Sequence, residues 1–144
     1  MKKIVFVLLA VLAVFCLVSC DHGNTSAPDS APTPWYVGTW KSDNFTQIGM
    51  EVYGIVTLSD DGKIESLYYL SDTNQLCLGY RGTYTINSEE TKLSTILTEE
   101  FMMAWKSCNL KQEYTIAKTD GSHITLTPPE SFNTDPADIP FVKQ

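Results

Sequence analysis

With 144 residues and a mass of 16.1 kDa, the chain has length for one ordinary domain, which excludes fibrous and multi-domain architectures. Apolar residues make up 43% and charged residues 19%, so most of the chain can bury a core. Ten basic against seventeen acidic residues give a net charge of −7; this argues against nucleic acid as a partner and against adsorption by charge to anionic lipid.

Met1-Lys2-Lys3 followed by the unbroken apolar run Ile4 to Val18 has the form of a secretory leader. Fifteen helical residues span roughly 22 Å, short of a hydrocarbon core of about 30 Å, so a leader fits better than a spanning helix. The next residues sharpen the reading. Leu17-Val18-Ser19-Cys20 resembles the bacterial lipobox: a branched apolar residue and two small or medium ones before the cysteine that becomes the lipidated N-terminus. The resemblance implies that residues 1–19 are a lipoprotein signal peptide and that Cys20 carries diacylglycerol on its sulfur. It also implies an acyl chain such as palmitate on the new amine, and a position in the bacterial cell envelope facing the periplasm or the exterior. Two or more acyl chains hold a protein to a bilayer stably, where one does so only marginally. The alternative is a plain secretory leader with an incidental cysteine. Removal of Lys2 and Lys3 leaves 8 basic against 17 acidic residues, a net of −9.

Residues 20–34 then read as the lipidated cysteine and a flexible tether. Asp21 to Pro34 has no large apolar residue and three prolines, so it cannot bury surface. Fourteen extended residues reach at most about 46 Å. His22 lies here, where the one neighbouring thiol is the Cys20 taken up by acylation, and reads as a solvated residue rather than a metal ligand.

From Trp35 the texture changes, and residues 35–144 read as one domain. Polar punctuation recurs at Ser59-Asp60-Asp61-Gly62, Ser71-Asp72-Thr73-Asn74, Asn87-Ser88-Glu89-Glu90, Ser107-Cys108-Asn109 and Thr119-Asp120-Gly121-Ser122. The intervening runs, rich in Val, Ile, Thr and Tyr, suit a pleated, half-buried surface. Leu78, Tyr80, Gly82, Tyr84 and Ile86 share one face of a period-two segment, and Tyr114 with Ile116 and Ile124 with Leu126 repeat the pattern. The spacing predicts eight strands over 36–42, 50–58, 63–70, 78–87, 91–98, 101–107, 111–118 and 122–128, with hairpins at Asp61-Gly62 and Asp120-Gly121. Residues 92–105 admit a helical turn or two as the alternative. After Pro128-Pro129 the chain is poor in apolar residues until Phe141-Val142 and is expected to wrap the surface or fray. The expectation is an all-β protein: an antiparallel eight-stranded up-and-down meander that closes as a small barrel and so removes its edges.

Val37-Gly38-Thr39-Trp40 opens the domain as the Gly-x-Trp of lipocalins and lipocalin-like proteins opens theirs. Gly82-Thr83-Tyr84-Thr85-Ile86 and Tyr114-Thr115-Ile116 are similar to the repeated strands of small bacterial lipocalin-like domains. The resemblance covers residues 35–128. It implies a cup with an apolar interior for a small hydrophobic molecule, with Gly38 and Trp40 at its closed end. The second lipocalin motif is absent, and no late-strand arginine is placed to cover Trp40, since the sole arginine is Arg81.

Two cysteines remain after Cys16 is discarded and Cys20 acylated. In an oxidising compartment Cys77 and Cys108 suggest one disulfide, with two buried free thiols as the alternative; neither has metal-ligand spacing. Signals of catalysis are thin. No serine sits in a Gly-x-Ser-x-Gly elbow, His123 reads as a strand residue after a turn, and Asp60-Asp61-Gly62 lacks the spaced ligands of a calcium loop. Glu89-Glu90 and Glu99-Glu100 are adjacent pairs whose members point to opposite faces of a strand. Tyr80, Tyr84 and Tyr114 either fill a small barrel or line a pocket with their hydroxyls, and Met102-Met103 either packs or forms a soft wall. These features point to a non-catalytic lipid-anchored protein, without cofactor or metal, that binds a small apolar or amphipathic ligand. A filled barrel acting as an envelope protein-protein interaction module is the second reading.

Overall fold

Alternation of inward apolar and outward polar side chains marks most of the longer strands, and the chain forms β1 (Gly38–Ser42), β2 (Phe45–Gln47), β3 (Met50–Leu58), β4 (Lys63–Leu70), β5 (Leu76–Ile86), β6 (Lys92–Phe101), β7 (Trp105–Lys118), β8 (His123–Thr127), β9 (Thr134–Asp135) and β10 (Ile139–Lys143). The computed structural model describes residues 32–132, 134–135 and 137–144. The leader, Cys20, His22 and the tether as far as Ala31 lie outside the described residues.

All neighbouring strands are antiparallel, and β1 pairs with both β3 and β10. Eight strands (β1, β3 to β8 and β10) therefore close an up-and-down barrel, the architecture that abolishes sheet edges. Its first wall strand comes in two pieces, β1 and β2, both lying along β3. At the break, the Gly54 amide donates to Ser42 Oγ at 2.7 Å, so a hydroxyl stands in for the interrupted ladder. β2 and β3 are joined by Ile48-Gly49, both at positive φ (52° and 75°), the two-residue hairpin geometry that matches strand twist.

Among the described residues, fifteen apolar side chains are buried inside, including Trp40, Val52, Leu58, Leu93, Ile116 and Ile124 at 2% exposure or less. At about 2 kcal/mol for each large side chain buried, they supply the main folding drive. Tyr68 packs over Gly54, its partner on the adjacent β3, where a Cβ would come within 3.2 Å of its ring.

Three expectations need correction. The segments 101–107 and 111–118 are one strand, β7. Ser107-Cys108-Asn109 is a bulge rather than a turn, because Leu97 pairs with Leu110 while Glu99 pairs with Ser107, leaving one extra residue on β7. The turn lies at Met102-Met103-Ala104 instead. The segment after Pro129 does not fray: Ile139 and Phe141 are buried (6% and 2%) and β10 seals the barrel between β8 and β1. The third correction concerns the cysteines. Both are free thiols, set on β5 and β7 with β6 between them. Two strand spacings alone come to about 10 Å, beyond the roughly 7 Å that a disulfide can bridge, and the register offsets the two residues along the strands as well. Cys77 donates to the Tyr68 carbonyl (3.2 Å) and Cys108 to that of Leu97 (3.4 Å).

Candidate functional site

The two ends of the barrel differ in chemistry. At the end where the chain enters, Trp40 plugs the interior at 0% exposure, and its indole N–H donates to the Tyr36 carbonyl at 2.9 Å. Trp35 meets Trp40 edge-on, and Tyr36 meets Tyr84 in the same way. The cation that covers Trp40 is Lys143, one residue from the end of the sequence. Its Nζ lies 5.3 Å from the ring centre and donates to the Trp35 carbonyl at 3.0 Å. No arginine is needed there, and sequence reading missed Lys143 because β10 itself was missed. The loops at this end carry Asp60, Asp61, Glu89, Glu90 and Asp120 among Lys63, Lys92, Lys118 and Lys143, so its rim is charged with both signs.

The three tyrosines expected to share a pocket do not. Tyr84 belongs to the entry end, where its hydroxyl donates to the Ser59 carbonyl at 2.8 Å. Tyr114 points toward the far end and donates to Gln112 Oε1 at 2.7 Å. Tyr80 lies beside Glu100 and Cys108, whose charges add to burial in raising its phenol above the ordinary range. Tyr68 takes the place of Tyr84 in the cluster: Tyr114 is held well above the usual phenol range by burial first, then by Tyr68 and Tyr80. The void that Tyr68 and Tyr114 line with Phe45, Gln47, Ile139 and Phe141 is about 10 Å³, room for roughly one water molecule. The alternation Ile64, Ser66, Tyr68 was the available signal for Tyr68.

Burial pushes Tyr68 up as well, and Tyr84 up to about 12. A phenol whose folded value exceeds its unfolded value near 10 favours the fold below that pH, and the contribution is lost as pH rises. The barrel is therefore expected to keep full stability to about pH 10 and to lose it between about 10 and 12. Tyrosinate absorbance from the buried phenols should rise together with loss of the strand circular dichroism signal. Buried phenols that ionise while the strand signal persists would contradict this.

The far end exposes large apolar side chains among polar ones. Ile48 and Met50 on the β2–β3 turn are 67% and 44% exposed, and Met102 and Met103 on the β6–β7 turn are 65% and 91% exposed. Met102 and Met103 thus neither pack nor wall a pocket, contrary to both expectations. A shallow groove of about 280 Å³ at the same end is lined by Met50, Glu51, Leu70, Ser71 and Asp72. Ile48 also occupies the left-handed region at φ 52°, which costs a β-branched residue roughly 1–2 kcal/mol.

The catalytic candidates do not assemble. His123 meets Asp120 at 2.8 Å and Ser122 at 3.1 Å, but both through Nδ1, whereas a relay needs the two ring nitrogens to serve different partners. The Ser122 amide and then His123 lower Asp120 to about 2, as befits a carboxylate organising a tight turn. Glu90 accepts the Trp35 indole N–H at the entry end, while Glu99 and Glu100 stand on β6 beside Arg81 and Tyr80, so the glutamate doublets are far apart. Among the described residues, no three His, Cys, Asp or Glu side chains gather as metal ligands.

The chain matches no family model, no curated protein and no solved structure.

Proposed function

We propose that this protein is a lipid-anchored envelope protein whose filled, lipocalin-like barrel is a protein-protein interaction module, held to a bilayer through acylated Cys20. Ile48 carries the reading. An isoleucine two-thirds exposed and in the left-handed region gains neither from packing nor from its backbone, so its benefit lies in contact with something else. Met50, Met102 and Met103 surround the same end with adaptable apolar surface. The lipocalin-like character is supported by Gly38-Thr39-Trp40, by closure in up-and-down order and by a late-strand cation over Trp40. A carrier of small apolar molecules is the second reading, favoured by the void beside Tyr68 and Tyr114. Its volume of about 10 Å³ is far below the roughly 300 Å³ of a small-molecule pocket.

The test places a photo-crosslinking residue at Met103 in intact cells. One discrete adduct is expected, and Cys20→Ala should move the chain out of the membrane fraction. Ile48→Asn fits the turn better and is expected to stabilise the protein by about 1 kcal/mol while reducing the adduct. Native mass spectrometry with envelope lipid should show the protein mass alone. A retained lipid, with the adduct unchanged by Ile48→Asn, would shift the reading to the carrier.

A further inference from the structure

We infer that the upper part of β7 is a pairing edge that joins two copies of this chain. β7 is 14 residues long, yet β8 pairs with it only over Thr115 to Lys118. Among the described residues, no strand lies along Trp105 to Glu113 on that side. The ladder determines which groups face outward. The Ile116 amide donates to the Thr91 carbonyl on the β6 side at 2.9 Å, and bonding direction alternates along an antiparallel strand. Lys111 and Glu113 therefore turn their N–H and C=O groups away from β6, and both side chains are exposed. The inner face agrees: Leu110, opposite the buried Leu97, is 36% exposed because the wall beside it ends at the Thr115–Thr127 pair. An edge of this kind is a template for another strand.

Charge selects the occupant. For two copies of β7 paired antiparallel about a twofold axis, bonding direction requires Lys111 and Glu113 to face odd-numbered residues. An axis through Lys111 or through Glu113 sets like charges opposite each other. An axis through Gln112 sets Lys111 of each copy opposite Glu113 of the other, giving two attractive pairs on the outer face. Glu113 already lies 3.2 Å from Lys92 Nζ, and a carboxylate has acceptor capacity for both cations. In this register Asn109 falls opposite Thr115 of the other copy, where β8 already holds the edge, so the shared ladder runs over Leu110 to Tyr114 of each copy and the bulge at Cys108-Asn109 marks its end. This pairing inverts one barrel relative to the other. A tether of fourteen residues, reaching at most about 46 Å, matches β7 in length, so both copies can anchor in one membrane.

The inference goes beyond the rim reading, uses none of its residues and holds whether or not Cys20 is acylated. Its test uses the full chain in membranes and again in detergent, with Cys77→Ser and Cys108→Ser, under mild oxidation. Gln112→Cys lies on the axis at a non-hydrogen-bonded position, where Cα atoms approach to about 4.5 Å, within disulfide range. It is expected to run at twice the chain's mass, while Thr85→Cys, on the outer face of β5, stays single. Adding Glu113→Lys should lower the cross-linked fraction about tenfold, and adding Lys111→Glu as well should restore it. Sedimentation of the unmodified chain in detergent should show concentration-dependent doubling. A Gln112→Cys chain that stays single, or a charge reversal without effect, overturns the inference.

Discussion

Ending the chain at residue 138 is expected to abolish cooperative unfolding. The deletion removes the burial of Ile139 and Phe141, the ladders that β10 makes with β1 and β8, and the Lys143 ammonium over Trp40. Two buried side chains at about 2 kcal/mol each, with several hydrogen bonds at about 1 kcal/mol, approach the 5–15 kcal/mol that holds a typical domain folded. The loss extends beyond the deleted residues, since β1 and β8 become open edges and Trp40 loses its cover. Denaturant titration followed by circular dichroism should give a broad, shallow transition, and a dye for exposed apolar surface should bind strongly. A truncated chain that melts sharply at the parent midpoint would show that β10 is dispensable.

Gly82→Ala is the single substitution expected to do most damage. A Cβ at this position would come within 2.1 Å of the Ile96 carbonyl oxygen and 2.7 Å of Leu97 Cα. Both are backbone atoms of the paired strand and cannot rotate aside. Gly82 follows the irregularity where β5 passes the extra residue of β6, so the two backbones approach closely there. A loss of more than about 3 kcal/mol is expected in a thermal or denaturant melt, which places it among the severe substitutions. Gly121→Ala is the matched control. Nothing lies within 4 Å of its added methyl, and the change should stay within about 0.5 kcal/mol. Equal effects at the two sites would contradict the close approach of β5 and β6.

The strands most legible in the sequence were those whose period-two pattern is long and bounded by glycine. The ranges 50–58 and 63–70 coincide with β3 and β4, and Asp61-Gly62 makes the turn between them with Gly62 at φ 78°. Composition misled where one signal serves two purposes. Ser107-Cys108-Asn109 looks like punctuation, yet a bulge also uses one extra residue and can carry the same polar types. Ile139-Pro140-Phe141-Val142 has only three apolar residues and a proline, too few for a free-standing strand. It folds because β1 and β8 offer waiting edges, a cause that lies outside the segment. The tyrosine cluster was half legible for a related reason. Period two places Tyr80, Tyr84 and Tyr114 inside, but their heights in the barrel depend on strand stagger, which no single segment encodes.

The closure of β1 on both sides bears on how the domain answers mechanical load. A pull along the axis of β1 meets β3 and β10, which grip that strand from either flank. Sliding it out requires both rows of bonds to yield together rather than one after another. The Lys143 contact with the Trp35 carbonyl and the Gln144 amide on Thr39 tie the last residues of the chain to the point where the force enters. Tension applied along β1 therefore meets the wall in shear, its strongest direction.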